Sequence, residues 1–220
     1  MVNPKVLKDV VLVAGHPRSG TSVACQLVET AGVNFPSDFE GDSYNKSGYY
    51  ELASALELEK KLLKEAMTVK NTLRLNMLVS KLNKVDGTSG LKIVRIPVVF
   101  FYRHIAKNLR AVFIFRHPAD VKASMLRRGI SQFNLSWVEN NNALIAAYEN
   151  LPNSVILSYE SLIKKDERII KKMKEMGLEV NFDIIKEKER TQKNSSIVLS
   201  TQEEKLYAKL KEMEEACLNG

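Results

Sequence analysis

Cysteine, glycine and proline are all scarce in this sequence. The 220 residues include two cysteines, 10 glycines and six prolines. Cys25 and Cys217 stand far apart, and neither belongs to a metal-type spacing or a CxxC pair, so the sequence indicates neither a disulfide framework nor a metal site. Because 45% of the residues are hydrophobic, general disorder is not expected. We expect one globular domain over residues 1–220, in a reducing, cytoplasmic compartment.

Long apolar runs are absent as well, and basic residues outnumber acidic ones. The run Val10–Ala14 is far too short for a membrane span or a signal-peptide core, so no stable membrane insertion is expected. A net charge of +7 favours an anionic ligand: a nucleotide, a nucleic acid, an acidic glycan or a membrane surface. The lysines are scattered among glutamates on predicted helices, which is typical of a solvated face and argues against a nucleic-acid partner.

Short apolar runs alternate with helical patterns along the chain. The predicted strands are Val10–Ala14, Leu91–Val94, Ala111–Phe115 and Ser154–Leu157. The predicted helices are Thr21–Thr30, Leu52–Val85 with a break near Asn71, Pro97–Lys107, Pro118–Arg127, Leu135–Glu149, and segments after Tyr159 that the polar stretch Arg190–Ser196 interrupts. This alternation predicts an α/β fold of three layers, α/β/α, around a parallel sheet of about four to five strands. Such sheets bind ligands beyond the carboxyl ends of their strands.

The first predicted strand runs into a loop bounded by two glycines. Its sequence is Gly15-His16-Pro17-Arg18-Ser19-Gly20-Thr21-Ser22. Successive backbone N–H groups and the start of the next helix can bind an anion there, beside the guanidinium of Arg18. A P-loop kinase or NTPase would have lysine at the position of Thr21, so a triphosphate site is disfavoured. The alternative is a turn in which Ser19 caps the helix.

A second motif follows the third predicted strand. In Phe115-Arg116-His117-Pro118-Ala119-Asp120-Val121-Lys122-Ala123-Ser124, a cation leaves a buried strand and a hydroxyl lies in the second turn of the next helix. Arg116 and Ser124 could both close on one phosphate. Alternatively, Arg116 pairs with Asp120.

Together the two motifs resemble the pair that binds 3'-phosphoadenosine-5'-phosphosulfate (PAPS) in the sulfotransferase family. The resemblance implies a fold like that of P-loop NTPases, PAPS as donor, PAP as product and no metal. It assigns the first loop to the 5'-phosphosulfate and assigns Arg116 and Ser124 to the 3'-phosphate. The residues expected to hold the donor are His16, Pro17, Arg18, Ser19, Gly20, Thr21, Ser22, Arg116 and Ser124.

Three shorter segments extend the resemblance. Gly48-Tyr49-Tyr50-Glu51 is similar to a GYxE element of carbohydrate-type and prokaryotic members, and Ser158–Leu162 contains a YExL segment whose role is expected to be largely structural. Lys92-Ile93-Val94-Arg95 resembles their KDPR strand, but the Asp and Pro are replaced, which leaves the shape of the acceptor side open.

Sulfuryl transfer is an in-line displacement that needs a stabilised leaving phosphate and a base. Arg18 with the loop amides is expected to stabilise the leaving oxygen, and Lys92 is the second candidate. Cytosolic members use a histidine as base where this chain has Val94. Carbohydrate-type relatives use a carboxylate in the segment after the first helix, so the resemblance makes Glu51 the expected base, and an apolar pocket would make it more basic. Glu40 in the same loop is its competitor, and a solvated residue at a helix start is the alternative reading of Glu51.

The remaining aromatic and histidine side chains have expected structural roles. His16 and His117 are expected to shape their loops, and His104 to be a partly buried core residue. Trp137, with the asparagines after it, either lines an acceptor cleft or, more commonly for such a helix, faces the core.

The resulting expectation is a sulfotransferase that acts on a hydroxyl or amine of a small-molecule or glycan acceptor. The alternatives are a P-loop-type nucleotide kinase or NTPase and a non-catalytic PAP-binding protein. The resemblance favours a carbohydrate or glycolipid acceptor, but the sequence identifies neither the acceptor nor the oligomeric state.

Overall fold

A computed structural model describes residues 3–41, 48–65, 67–130, 135–185 and 197–220. The polar stretch Arg190–Ser196 lies outside the described residues, and so do residues 42–47 of the segment Asp38–Tyr50, which its Gly, Ser, Asn and Asp content predicts to be a loop.

The described residues form one parallel sheet of four strands. The strands are β1 (Leu7–Ala14), β2 (Ser89–Ile93), β3 (Ala106–Phe115) and β4 (Ser154–Ser158), and their order across the sheet is β2-β1-β3-β4. Ala14 pairs with both Ile93 and Phe113, and Phe115 pairs with Ser158, so all four carboxyl ends meet at one edge. All four predicted strands are thus confirmed.

Helices flank this sheet. They are α1 (Thr21–Glu29), α2 (Ala53–Leu62), α3 (Val69–Leu82), α4 (Val99–Ile105), α5 (Pro118–Arg127), α6 (Trp137–Glu149), α7 (Tyr159–Ile163), α8 (Glu167–Glu175) and α9 (Thr201–Asn219), with a 3-10 turn at Ile96–Val98. The connections from β1 to β2 and from β2 to β3 run in opposite directions across the sheet. Because such crossovers are right-handed, their helices cover opposite faces, which gives the predicted α/β/α layers.

The two central strands are the most deeply buried part of the core. Val10–Ala14 and Ala111–Phe115 are completely buried. Both runs are continuously apolar, as expected of parallel strands that are covered on both faces. The loops that follow these two strands carry the two predicted binding motifs, so a rigid core holds both.

The predicted helix over Leu52–Val85 does divide, but the predicted position of the break was wrong. The chain leaves helical geometry after α2, and Asn71 lies inside α3. Thr68 caps α3 by accepting a hydrogen bond from the Asn71 N–H, and the Asn71 side chain donates to Glu65. The polar residues therefore mark a helix start, because a threonine oxygen satisfies an otherwise unpaired N–H there.

The helix predicted from Pro97 to Lys107 is shorter than expected. It begins as a 3-10 turn and ends at Ile105, because β3 already begins at Ala106. His104 is exposed rather than partly buried, since α4 turns Val99 and Tyr102 toward the core. Among the described residues, no helix is both long and apolar enough to cross a membrane.

Candidate active site

A cavity of about 310 Å³ opens at the carboxyl edge of the sheet. Six of its lining residues are cations and one is a carboxylate. The lining consists of Pro17, Arg18, Gly20, Thr21, Ser22, Tyr49, Glu51, Leu56, Lys60, Lys92, Val94, Arg95, Arg116, Arg128 and Ile130. This location is where parallel sheets bind ligands, and the cationic lining suits a polyanion.

The loop after β1 has its shape because two of its residues lack side chains. A Cβ on Gly15 would lie 2.3 Å from the Ile114 carbonyl oxygen, and a Cβ on Gly20 would lie 2.4 Å from the Tyr159 ring. Gly20 also has a φ of 93°, which only glycine adopts readily. The loop therefore packs closely on β3 and α7 before α1 begins at Thr21.

Arg18 and Ser19 form the turn at the tip of this loop. Arg18 has a φ of 69°, a strained conformation for a non-glycine residue. The residue that precedes α1 is Gly20, which makes no side-chain cap, so the alternative of a plain Ser19 cap is wrong. Ser19 Oγ is instead buried without a hydrogen-bond partner among the described residues.

His16 shapes the loop but brings no charge to it. Its ring Nδ1 lies 2.8 Å from the Pro17 carbonyl oxygen, to which it donates. Burial lowers the pKa of His16 from 6.5 to about 4, because the charged ring would lose its hydration. The imidazole is consequently neutral near pH 7.

The second motif meets the first at the cavity. Arg18 Nε donates to Ser124 Oγ over 3.1 Å, and Arg116 Nη1 donates to the Arg18 carbonyl oxygen over 3.4 Å. Arg116 also lies 3.9 Å from Asp120, so the alternative pairing is present at the limit of an ion pair. The fold thus brings residues 106 positions apart into contact.

The Tyr159–Leu162 segment supports both motifs. The Arg116 guanidinium lies 4.3 Å from the centre of the Tyr159 ring, whose edge faces Gly20. Glu160 accepts a hydrogen bond from the His117 backbone N–H. These contacts agree with the structural role expected for this segment.

Trp137 is a buried residue that holds the end of β3. Its Nε1 donates to the Arg116 carbonyl oxygen over 3.2 Å. The side chains of Asn140 and Asn141 are also buried and bond to backbone groups of Ile96 and Trp137. These three residues therefore face the core, and the described cavity lining does not include them.

The opposite wall of the cavity is built around Lys92, which is buried near the end of β2. Its Nζ lies 2.7 Å from Glu51 Oε1, 2.7 Å from the Tyr49 carbonyl oxygen and 3.2 Å from Ser22 Oγ. These contacts match the three hydrogens of an ammonium. Glu51, expected to face an apolar pocket, faces this cation instead, because β2 and the segment before α2 meet at the cavity.

A second contact between an arginine and a glutamate lies behind Lys92. Arg95 Nη1 lies 3.4 Å from Glu59 Oε2, and both side chains are buried. Burial is the main cause that raises the pKa of Glu59 from 4.5 to about 8, against the opposing effect of Arg95. Arg95 reaches the cavity, whereas Glu59 supports it from behind.

Most of the predicted donor residues meet at this cavity. Pro17, Arg18, Gly20, Thr21, Ser22 and Arg116 line it, while His16, Ser19 and Ser124 are buried beside it. Both remaining catalytic candidates, Glu51 and Lys92, line it as well. Glu40 is exposed and is not part of the described lining.

Sequence reasoning missed two cations of the cavity, Lys60 and Arg128. Arg128 Nη2 donates to the Tyr49 hydroxyl over 2.8 Å. Its position four residues after Ser124, on the same helical face, was the available signal. Lys60 carried no comparable signal, because the sequence does not reveal which face of α2 meets the sheet edge.

Comparison with known proteins gives a match at the level of structure. No family model matches the chain, and no curated protein matches it in sequence. The sulfotransferase domain of the Synechococcus PCC 7002 olefin synthase superposes with a TM-score of 0.56 at 11% identity, covering 95% of this chain and 96% of that domain. This chain has the sulfotransferase fold.

Two further sulfotransferases resemble it less closely. One from Alicyclobacillus acidocaldarius has a TM-score of 0.43 at 14% identity, covering all of this chain and 97% of that one. Mouse SULT7A1, crystallised with PAP, has a TM-score of 0.45 at 14% identity, covering 81% of this chain and 61% of that one. In this sulfotransferase fold, the two motifs follow β1 and β3, the adjacent central strands.

Proposed function

We propose that this protein transfers a sulfuryl group from PAPS to a hydroxyl or amine of a small-molecule or glycan acceptor. The contact that carries the proposal is the hydrogen bond from Arg18 Nε to Ser124 Oγ, 3.1 Å long. It joins a loop suited to one anionic group with an Arg and Ser pair suited to another. A ligand with two phosphate-like groups fits this pair of sites better than one with a single cluster of phosphates.

The unsatisfied polar atoms also fit such a donor. Ser19 Oγ and Arg116 Nε are buried without hydrogen-bond partners among the described residues, an arrangement that is costly unless a ligand completes it. The N–H groups that open α1 add backbone donors beside them. A donor with anionic groups at both positions would satisfy these groups together.

PAPS supplies the sulfuryl group and a phosphate leaving group. Arg18 and the loop amides would stabilise the charge that develops on the leaving oxygen. Lys92 lies 3.2 Å from Ser22 Oγ and could share this task. Since its ammonium already contacts Glu51 and the Tyr49 carbonyl, we infer that it gives up one contact when it turns to the donor.

Glu51 is the proposed base. Its side chain lines the cavity, is 20% exposed and is held by Lys92, so it can face an acceptor while its position is fixed. The proton of the acceptor hydroxyl would pass to the carboxylate oxygen as the new O–S bond forms.

The decisive experiment compares nucleotide binding by isothermal titration calorimetry. The wild type is titrated with PAP, ADP, and ATP with magnesium, and the same series is repeated with Arg116→Ala. We expect PAP to bind at least about tenfold more tightly than ADP, because only PAP carries the 3'-phosphate. Arg116→Ala should remove this preference, while Arg103→Ala, which deletes an exposed cation elsewhere, should retain it.

Each other outcome has a defined meaning. An unchanged preference for PAP in Arg116→Ala would reject the assignment of the second motif. Binding of ATP with magnesium but not of PAP would reject the sulfotransferase proposal in favour of a kinase or NTPase. PAP binding without sulfuryl transfer to any of a panel of hydroxyl and amine acceptors would favour a non-catalytic PAP-binding protein.

A further inference from the structure

An apolar stripe runs along the outer face of α3. Val69, Leu73 and Met77 are spaced by four residues and therefore lie on one side of the helix. They are 60%, 49% and 74% exposed, although side chains of this type are usually buried. The opposite face of α3 packs into the core through Leu75, Leu78, Val79 and Leu82, so this helix is apolar on both sides. We call Val69, Leu73 and Met77 the α3 stripe.

The N-terminal segment extends this surface. The Asn76 side chain bonds to the backbone at Asn3 and Lys5, and the Asn83 side chain bonds to the backbone at Val6 and Lys8. These bonds fix residues 3–8 along one edge of the stripe. Val6 is 60% exposed there and adds a fourth apolar side chain.

Cations border the stripe on both edges. Helical geometry puts Lys70, Lys81 and Arg74 along one edge, and Lys5 lies on the other, where its ammonium bonds to Ser80. All residues of α3 are described, and they include three cations but no Asp or Glu. Lys81 and Arg74 pair with acids outside the helix, Asp38 and Glu57.

We propose that the α3 stripe binds an anionic membrane surface, lying in its interface without crossing it. A helix with an apolar face between lysines has the pattern of interfacial helices, in which the apolar side chains enter the acyl boundary. The lysine stems can bury their methylenes while the ammonium groups reach the anionic headgroups. The stripe covers nine residues, from Val69 to Met77, or about 12 Å along the axis, which suits shallow insertion.

The charges favour a membrane over a second copy of this chain. A symmetric dimer would bring the α3 stripe against itself and oppose Lys5 and Lys70 with the same cations. An anionic bilayer instead offers opposite charge to Lys5 and Lys70.

The test is co-sedimentation with vesicles of pure phosphatidylcholine and with vesicles that contain phosphatidylserine. We expect the wild type to bind the anionic vesicles more strongly, and added salt to weaken this binding because it screens the lysines. The variant L73E/M77E should reduce the anionic partition coefficient by about tenfold or more, since it puts carboxylates into the apolar contact.

The matched control is I184E/V198E, which adds the same negative charge at two other exposed apolar positions. It should retain most of the binding, and circular dichroism should give unchanged melting curves for both variants because all four side chains are exposed. Equal losses in the two variants would mean that net charge alone drives binding, and would overturn the proposal. So would absence of wild-type binding, or a dimer in sedimentation velocity that only L73E/M77E dissociates.

Discussion

The cations on the two walls of the cavity have different contacts. On the wall of the β1 and β3 loops, Arg18 donates to the Ser124 hydroxyl and Arg116 donates to the Arg18 carbonyl, with Asp120 at 3.9 Å from Arg116. On the α2 and β2 wall, Lys92 and Arg95 both contact carboxyl groups, those of Glu51 and Glu59. Both cations of the second wall thus lie within 3.4 Å of a carboxyl group of the protein, whereas Asp120 lies farther from Arg116.

This difference indicates that the two walls contribute to function in different ways. A wall whose cations bond to neutral oxygens gains most from a bound polyanion, because a charged partner makes stronger hydrogen bonds than a neutral one. A wall whose cations contact the protein's own carboxyl groups holds its side chains in fixed positions and binds external anions less strongly. We therefore expect changes on the first wall to alter donor affinity, and changes on the second to alter turnover or stability.

The largest effect is expected for Gly20→Ala on the first wall. The added methyl would clash with the Tyr159 ring, which packs against the Arg116 guanidinium. Because this clash would displace Arg116, PAP affinity should fall by about 100-fold or more. Gly32→Ala is the matched control, because Gly32 also has positive φ but has no atom within 4 Å of an added Cβ. It should cost about 1–2 kcal/mol of stability and leave PAP affinity unchanged. Equal affinities in calorimetric titrations of both variants would contradict the packing argument.

Glu51→Gln should act on turnover. Loss of the base should slow sulfuryl transfer from labelled PAPS by about 100-fold or more, while PAP affinity stays within about threefold of wild type. Glu40→Gln, an exposed residue outside the described lining, should leave both quantities unchanged. A reversed result, with Glu40→Gln inactive, would assign the base to the other carboxylate.

Glu59→Gln should act on the pH dependence of stability. Burial raises the pKa of Glu59 from 4.5 to about 8. The contribution of Glu59 to the free energy of unfolding is therefore fully present below pH 4.5 and is lost as the pH rises through 8. Between pH 5 and pH 7, the wild type should lose about 2 kcal/mol of unfolding free energy relative to the variant. Urea denaturation at both pH values measures this difference, and parallel curves would show that Glu59 is ionised in the folded protein.

The smallest effect is expected for Arg128→Met, at the boundary of the two walls. It removes the hydrogen bond to the Tyr49 hydroxyl and the contact with that ring, 5.7 Å from the guanidinium. We expect a loss of about 1 kcal/mol in urea denaturation, which Tyr49→Phe should partly reproduce. A decrease of more than about tenfold in PAP affinity would instead assign Arg128 to the donor wall.

The sequence by itself determined the strands, the helix order and the two loops that carry the motifs. Each of these depends on residues close in the chain: Val10–Ala14 is apolar enough to be a buried strand, and Gly15 and Gly20 permit the turn after it. The sequence also shows Thr21 at the position where a P-loop kinase or NTPase has lysine. Local patterns of this kind, with the resemblance that they carry, predicted eight of the residues that line the cavity.

Only the tertiary structure decided which side chains meet across the cavity. No sequence pattern indicates that Lys92 contacts Glu51, that Glu59 pairs with Arg95, or that Arg18 reaches Ser124. These contacts depend on how far each strand extends and on which helical face turns inward, and both are set by packing of the whole core. The exposed α3 stripe has the same origin, because a helix that is apolar on both faces can be buried on only one when it lies at the surface of the fold.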